Sequence, residues 1–274
     1  MTITDFLTGG ADVPDPLLTD LKAIVHRHAT SHPRSQQTRL GPSEVGHPCL
    51  RKLAQGLLFG GEHGHTPEGP APRINPPGDP LPSYVGVAAH AKLEDAVALD
   101  NARLEEKGLP PRWISERKVT VREDLSGTCD LYDVWTETVI DFKFPGTTAM
   151  TTYRKSGPSM EYRVQAHLYG AGYIRDGYPV KRVGIWFLPR AGQLATSHLW
   201  TEDYDQATVD ETLRRIDLAV AMIDDLDIDN HPERLRFIPR TAKNCSWCPY
   251  WAPYDHPSPL ACPGDEPVKQ VAAT

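Results

Sequence analysis

The chain predicts an α/β or α+β fold, a sheet with helices on its faces. Two observations carry this. Residues 113–144 read as three consecutive strands, the last two a hairpin. Helical patterns lie on both sides of that block, and two more strands interrupt the C-terminal set. No internal repeat points to a solenoid or propeller.

From the N-terminus, Asp15 to Thr30 forms an amphipathic helix with Leu17, Leu18, Leu21, Ile24 and Val25 as its apolar stripe. A polar linker, Ser31 to Arg39, follows. Ser43 to Leu53 leads into a helix ending near Gly60. Half of the residues from Gly60 to Ser83 are Gly or Pro, which reads as a loop or insert, and His63 and His65 within it read as solvated polar residues. Tyr84 to Lys107 is a long helix with Gly108 as its C-cap and Leu93, Val97 and Leu104 facing the core. His90 and Glu94 share one of its faces. Trp113 to Glu123 is the first strand. After the hairpin, Thr147 to Pro158 reads as a loop containing Arg154 and Lys155. Met160 to Asp176 is a helix closed by Gly177, and Val180–Leu188 and Leu194–Trp200 are strands. A helix from Asp203 to about Asp225 places Val209, Leu213, Ile216, Val220 and Ile223 on its apolar side.

The hairpin, Gly127 to Lys143, carries the chemistry. In Val139-Ile140-Asp141-Phe142-Lys143-Phe144, period-two alternation puts Ile140, Phe142 and Phe144 on one face and Val139, Asp141 and Lys143 on the other. A turn centred on Thr136-Glu137 sets Asp130 opposite Lys143 and Asp141 diagonal to both, with Cys129 turned toward Phe144. Thr-Glu is a poor two-residue turn, so this register follows from the pattern alone. Asp133 then falls opposite Ile140, an apolar position without an account. Two carboxylates suit a hard divalent cation, which polarises a phosphoryl oxygen and acidifies water, and a nearby lysine can neutralise developing charge. A solvated strand face bearing an Asp–Lys pair has the same local pattern.

Composition narrows the classes. The 274 residues suffice for one large domain or two small ones. A net charge of −7 argues against a general polyanion binder, so nucleic-acid contact would need local basic groups or metal. The N-terminus shows neither a basic start nor an apolar run, no segment is long enough to cross a membrane, and a cytoplasmic protein is expected. No G-x-x-x-x-G-K-[ST] motor motif is present.

Five cysteines are too few for a disulfide scaffold in a chain of this length. Cys245-Ser246-Trp247-Cys248 can place two thiolates on one metal, Cys262 offers a third, and Cys49 is the natural candidate for a fourth. Zinc and an iron–sulfur cluster both accept four cysteines, and spacing alone does not choose. Cys129 reads as a buried core thiol.

In order, the chain contains Cys49-x-Arg51-Lys52, His90 on a helix, Gly127-Thr128-Cys129-Asp130, Ile140-Asp141-Phe142-Lys143, Gln165-x-x-x-Tyr169 and the terminal cysteine triplet. This series, from about Ser43 to Pro263, resembles the RecB-type nucleases of the PD-(D/E)XK superfamily. It looks most like their iron–sulfur branch, which includes the AddB nuclease domain, the CRISPR-associated RecB-like exonucleases and stand-alone phage relatives. Two departures stand out: Cys129 occupies the position where the superfamily's name has proline, and the Cys248–Cys262 gap is long.

The resemblance implies a PD-(D/E)XK core with a mixed central sheet. It implies that His90, Asp130, Asp141 and the Phe142 carbonyl hold Mn²⁺ or Mg²⁺, with Lys143 catalytic. Mn²⁺ is favoured by the histidine ligand. Gln165 and Tyr169 would touch the DNA backbone or position the lysine. Cys49, Cys245, Cys248 and Cys262 would hold a [4Fe-4S] cluster, with Zn²⁺ as the alternative. Arg51, Lys52, Arg154, Lys155 and Arg163 are placed along the DNA path. The expected activity is a metal-dependent DNA exonuclease acting on single-stranded ends, 5′→3′. Alternatives are a nuclease subunit dependent on a helicase, recombinase or CRISPR adaptation protein, and a non-catalytic DNA-binding module with a zinc site. The expected organisation is an N-terminal helix and linker (1–42), a nuclease domain (43–240, insert 60–83) and a cluster-binding segment (241–274).

Overall fold

A computed structural model describes residues 15–31, 39–60, 65–66, 69–70 and 73–264. Its centre is one five-stranded sheet in sequential order. β1 (Trp113–Arg122), β2 (Leu125–Asp133) and β3 (Thr138–Lys143) form an antiparallel meander. β4 (Arg182–Phe187) runs parallel to β3, and β5 (His198–Asp203) lies antiparallel on the edge. The mixed sheet expected from the sequence is present.

Two helices make the crossover from β3 to β4: α5 (Thr147–Ser156) and α6 (Met160–Arg175). The Ser159 hydroxyl caps α6 by accepting the Tyr162 N–H. α6 lies close on the sheet because Gly172 faces β1; a Cβ there would stand 2.8 Å from the Val119 side chain. Leu168 and Val164 join one core with Leu53 and Ala54 of α3 (Leu50–Phe59) and with Val209, Ile216, Ala219 and Ile223 of α7 (Gln206–Asp225). The Asp205 carboxylate starts α7 by accepting the N–H groups of Ala207 and Thr208.

α4 (Leu81–Glu106) begins three residues before the predicted start, at a Pro-containing first turn. Its predicted face, Leu93, Val97 and Leu104, is only half-buried. Asn101 ties it to β1, donating to the Trp113 carbonyl at 2.8 Å and accepting the Trp113 N–H at 3.1 Å. α1 (Pro16–Ser31) forms as expected, yet Leu17, Leu18, Leu21 and Ile24 remain exposed.

Three local expectations are corrected. Residues 147–156 are helix, not loop: Met150 and Tyr153 pack on Phe187 and Ile185, and this tertiary contact outweighs the poor helix propensity of four threonines. The last strand begins at His198, after a 3₁₀ turn at Leu194–Thr196. The Gly/Pro stretch ends at the tail, where the N–H groups of Ile74 and Asn75 both donate to the Pro249 carbonyl at 2.8 Å. His63 lies outside the described residues.

Candidate active site and cysteine site

The hairpin register differs from the one expected. Leu131 pairs with Ile140, Tyr132 with Val139 and Asp133 with Thr138, and continuing that register sets Asp130 opposite Asp141. The turn is four residues long, with Glu137 left-handed at φ 54°. Asp133 closes it by accepting the Trp135 N–H at 3.1 Å and the Thr136 hydroxyl at 2.7 Å, while Arg112 binds its other side at 2.6–2.8 Å. This bonding explains a buried acid that hydrophobic patterning cannot.

A third carboxylate joins the row. β1 pairs Ser115 with Leu131 and Arg117 with Cys129, so Glu116 falls opposite Asp130. Its backbone is left-handed inside a strand, at φ 47°, an uncommon state for glutamate and one that concentrates at functional sites. Ligand atoms of His90, Glu116 and Asp130 all lie within 4.8 Å of one another. His90 Nδ1 is 3.2 Å from Asp130 Oδ1, and its ring packs on Phe142 and Phe144 with centroids 5.9 and 5.2 Å away. The Phe142 N–H donates to Asp130 Oδ2 at 2.5 Å. Glu116 was absent from the sequence-based site, since its place depends on cross-strand register and a bulge-like φ.

Asp141 is 2% exposed. Lys143 Nζ lies 2.5 Å from its Oδ2, so this buried oxygen is held in an ion pair. Asp141 interacts electrostatically with Asp130 and His90, and Asp130 and His90 cluster with Glu116, so the site offers the carboxylates and imidazole that a divalent cation takes. Burial pushes the Asp141 carboxyl up to about 6; Lys143 opposes the rise and the facing Asp130 adds to it. A carboxyl that holds its proton more tightly when folded loses stability as pH rises from ~4 through that level. Without added divalent ions, Asp141→Asn should therefore lose less melting temperature than the parent across this window, by a few degrees in thermal scans. An identical decline in both proteins would contradict the assignment.

Gln165 and Tyr169 lie next to this carboxylate. Both are buried beneath the sheet, and Gln165 Nε2 donates to Asp141 Oδ1 at 2.8 Å and to the Tyr169 hydroxyl at 3.3 Å. Gln165 thus holds Asp141, and Tyr169 accepts from Gln165. Tyr169 packs closely on Gly127, where a Cβ would stand 2.7 Å from Pro42 and 3.2 Å from the Tyr169 ring. Gln165→Leu should lower turnover roughly tenfold, since a bond to a charged group is lost, with DNA affinity in a filter-binding assay nearly unchanged. A matching loss of affinity would support the contact role.

The five expected DNA-path cations separate. Arg51 is buried, and its guanidinium donates to the carbonyls of Arg236 and Ile238, which removes it from the DNA path. Arg163 is bound by Glu202 and stacks over Trp200. Lys52 lines the cysteine cavity. Arg154 and Lys155 stand exposed in the last turn of α5, Arg154 donating to the Thr196 carbonyl.

Cys49, Cys245, Cys248 and Cys262 line one cavity, together with His47, Lys52, Arg240 and Lys243. Arg51 Nη1 lies 3.8 Å from Cys262 Sγ. Gln55 donates to the Leu260 carbonyl at 2.8 Å, and Asn75 to those of Ser246 and Cys248 at 2.7 and 3.0 Å. Burial pushes the Cys248 thiol up to about 11, so its thiolate requires a cation. Among the described residues, no three of these sulfurs lie within 4.8 Å of one another. Cys129 is buried as expected, but among Val119, Ala166, Tyr169 and Tyr173 and not against Phe144.

A mixed sheet with an aspartate on its second strand and Asp-x-Lys on its third is the frame of a PD-(D/E)XK enzyme. The chain belongs to the PD-(D/E)XK nuclease superfamily, whose profile matches residues 24–252. It is thus a nuclease, of a superfamily that uses divalent metals. No curated protein matches it. Similar solved structures include an alkaline exonuclease from Laribacter hongkongensis (14% identity, 54% of this chain and 72% of that one, TM-score 0.38). A phage-related exonuclease from Haemophilus somnus 129PT is 16% identical over 66% of this chain and 81% of that one, TM-score 0.41. The protein SSO0001 is 12% identical over 86% and 95%, TM-score 0.44. Among the described residues no helix is long and apolar enough to cross a membrane.

Proposed function

We propose that the protein is a metal-dependent DNA exonuclease carrying a structural [4Fe-4S] cluster. The observation that carries this reading is the row Glu116, Asp130, Asp141 across neighbouring strands, with His90 at one end and Lys143 at the other. His90, Asp130, Asp141 and the Phe142 carbonyl hold Mn²⁺ or Mg²⁺, and Glu116 adds a carboxylate to that set. A divalent cation bound by these residues would supply Lewis-acid chemistry, polarising the scissile phosphate and acidifying a water. Phe142 N–H fixes Asp130, and Gln165 fixes Asp141, so neither carboxylate must reorganise during the reaction. Lys143 neutralises charge that builds on the phosphate. Arg154 and Lys155 supply local positive charge for the DNA backbone on a chain of net charge −7.

Cys49, Cys245, Cys248 and Cys262 hold the cluster and tie α3 to the tail; their shared cavity supports a four-cysteine site, and the choice of iron over zinc follows from the resemblance to the iron–sulfur branch. Action on single-stranded ends with 5′→3′ polarity follows from the resemblance to the iron–sulfur branch. The test is a pair of end-labelled linear and closed circular single strands with Mn²⁺. The linear strand should disappear from its 5′ end while the circle survives; linearised circles would overturn the exonuclease reading.

A further inference from the structure

Lys143 is held from two sides. Its ammonium is 2.5 Å from Asp141 Oδ2, and it also stands over the Tyr162 ring, 4.9 Å from the centroid. Tyr162, in the first turn of α6, is itself fixed. Its ring lies 5.9 Å from that of Tyr153 and 6.5 Å from that of Phe187, and Tyr153 stacks on Phe187 at 4.4 Å. These rings form one cluster with Met150 and Ile185 on the sheet.

Asp141 cannot keep an ammonium at 2.5 Å on the oxygen it offers to a divalent cation. A lysine released to water would regain rotamer freedom and leave the phosphate. An aromatic face at this distance attracts an ammonium through its quadrupole, more strongly where water is excluded. We infer that Tyr162 is a positioning residue, whose ring holds Lys143 beside the scissile phosphate once a divalent cation takes Asp141. The inference rests on the proposed role of Asp141 as a ligand. Gln165 and Tyr169 do not share the task, since they serve the other oxygen of Asp141. The ring face does the holding, so the Tyr162 hydroxyl is dispensable.

The experiment combines calorimetric Mn²⁺ titration without DNA and cleavage kinetics over a range of DNA concentrations up to saturation. Tyr162→Leu should slow cleavage about tenfold with KM nearly unchanged, the scale of a desolvated cation–π contact. It should also weaken Mn²⁺ binding several-fold, because an ammonium without the ring competes harder for Asp141. Tyr162→Phe should retain both properties. In a Lys143→Met background, Tyr162→Leu should no longer change Mn²⁺ affinity. Tyr162→Met, closer in volume, replaces the leucine variant if that one fails to fold. A persistent affinity loss in the Lys143→Met background, or a phenylalanine variant as impaired as the leucine one, would show a packing role and overturn the inference. Asp141→Asn separates the two levels. Unchanged Mn²⁺ binding there overturns the ligand role of Asp141 and the premise with it. Lost binding there, with an inert Tyr162→Leu, overturns the inference alone.

Discussion

Alanine at Lys143 or Asp141 should cut DNA cleavage by about 10²–10³-fold and leave the fold intact. Both side chains lie at the end of β3, outside the three hydrophobic clusters that hold the sheet to its helices. Removing Asp141 also relieves a like-charge pair across strands, since Asp130 sits opposite. Asp130→Ala should be equally inactive but less stable, by about 1–3 kcal/mol, because the buried Phe142 N–H loses its acceptor. Rates come from single-turnover cleavage, and folding from thermal scans. A Lys143→Ala protein of near-parental rate would remove lysine from the chemistry.

Cys49→Ala and Cys248→Ala should each abolish visible absorbance around 400 nm, an estimate based on sulfur-to-iron charge transfer. Both should also melt lower, because the site joins α3 to the tail and its binding energy is folding energy. The loss should stop short of global unfolding. Arg51 still holds the carbonyls of Arg236 and Ile238, and Gln55 that of Leu260, without any cluster. Cys129→Ala should keep the colour, since Cys129 is enclosed between β2 and α6, away from the tail. Colour lost in Cys129→Ala and kept in Cys49→Ala would show that Cys129 is the fourth ligand. A colourless protein with one zinc would replace the cluster and leave the nuclease chemistry standing.

Much of this was legible from local pattern. Alternation in residues 139–144 predicted a strand carrying Asp141 and Lys143 on one face, and the hairpin partner Asp130 followed. What failed depended on non-local geometry. The sequence pattern implies a two-residue turn, whereas Glu137 adopts a left-handed φ and Asp133 closes a four-residue loop, so Leu131 pairs with Ile140 and the register is shifted by two from the expected one. Glu116 could not be found from periodicity, because its left-handed backbone interrupts the pleat of β1. The internal partners of Gln165 and Arg51, the Asp141 carboxylate and the Ile238 carbonyl, depend on burial and long-range packing that no local pattern contains. The helix at 147–156 exists through its contact with Phe187, which no single-segment propensity contains.

Hydrolysis of DNA is proposed to run through a divalent cation held at the three-carboxylate row. The most direct measurement strips the purified protein with chelator and titrates Mn²⁺ or Mg²⁺ back over an end-labelled linear single strand. The account predicts no cleavage in chelator and recovery with either ion, Mn²⁺ at the lower concentration. Cleavage that persists undiminished in chelator, or a folded protein that no divalent ion activates on any DNA end, would contradict it.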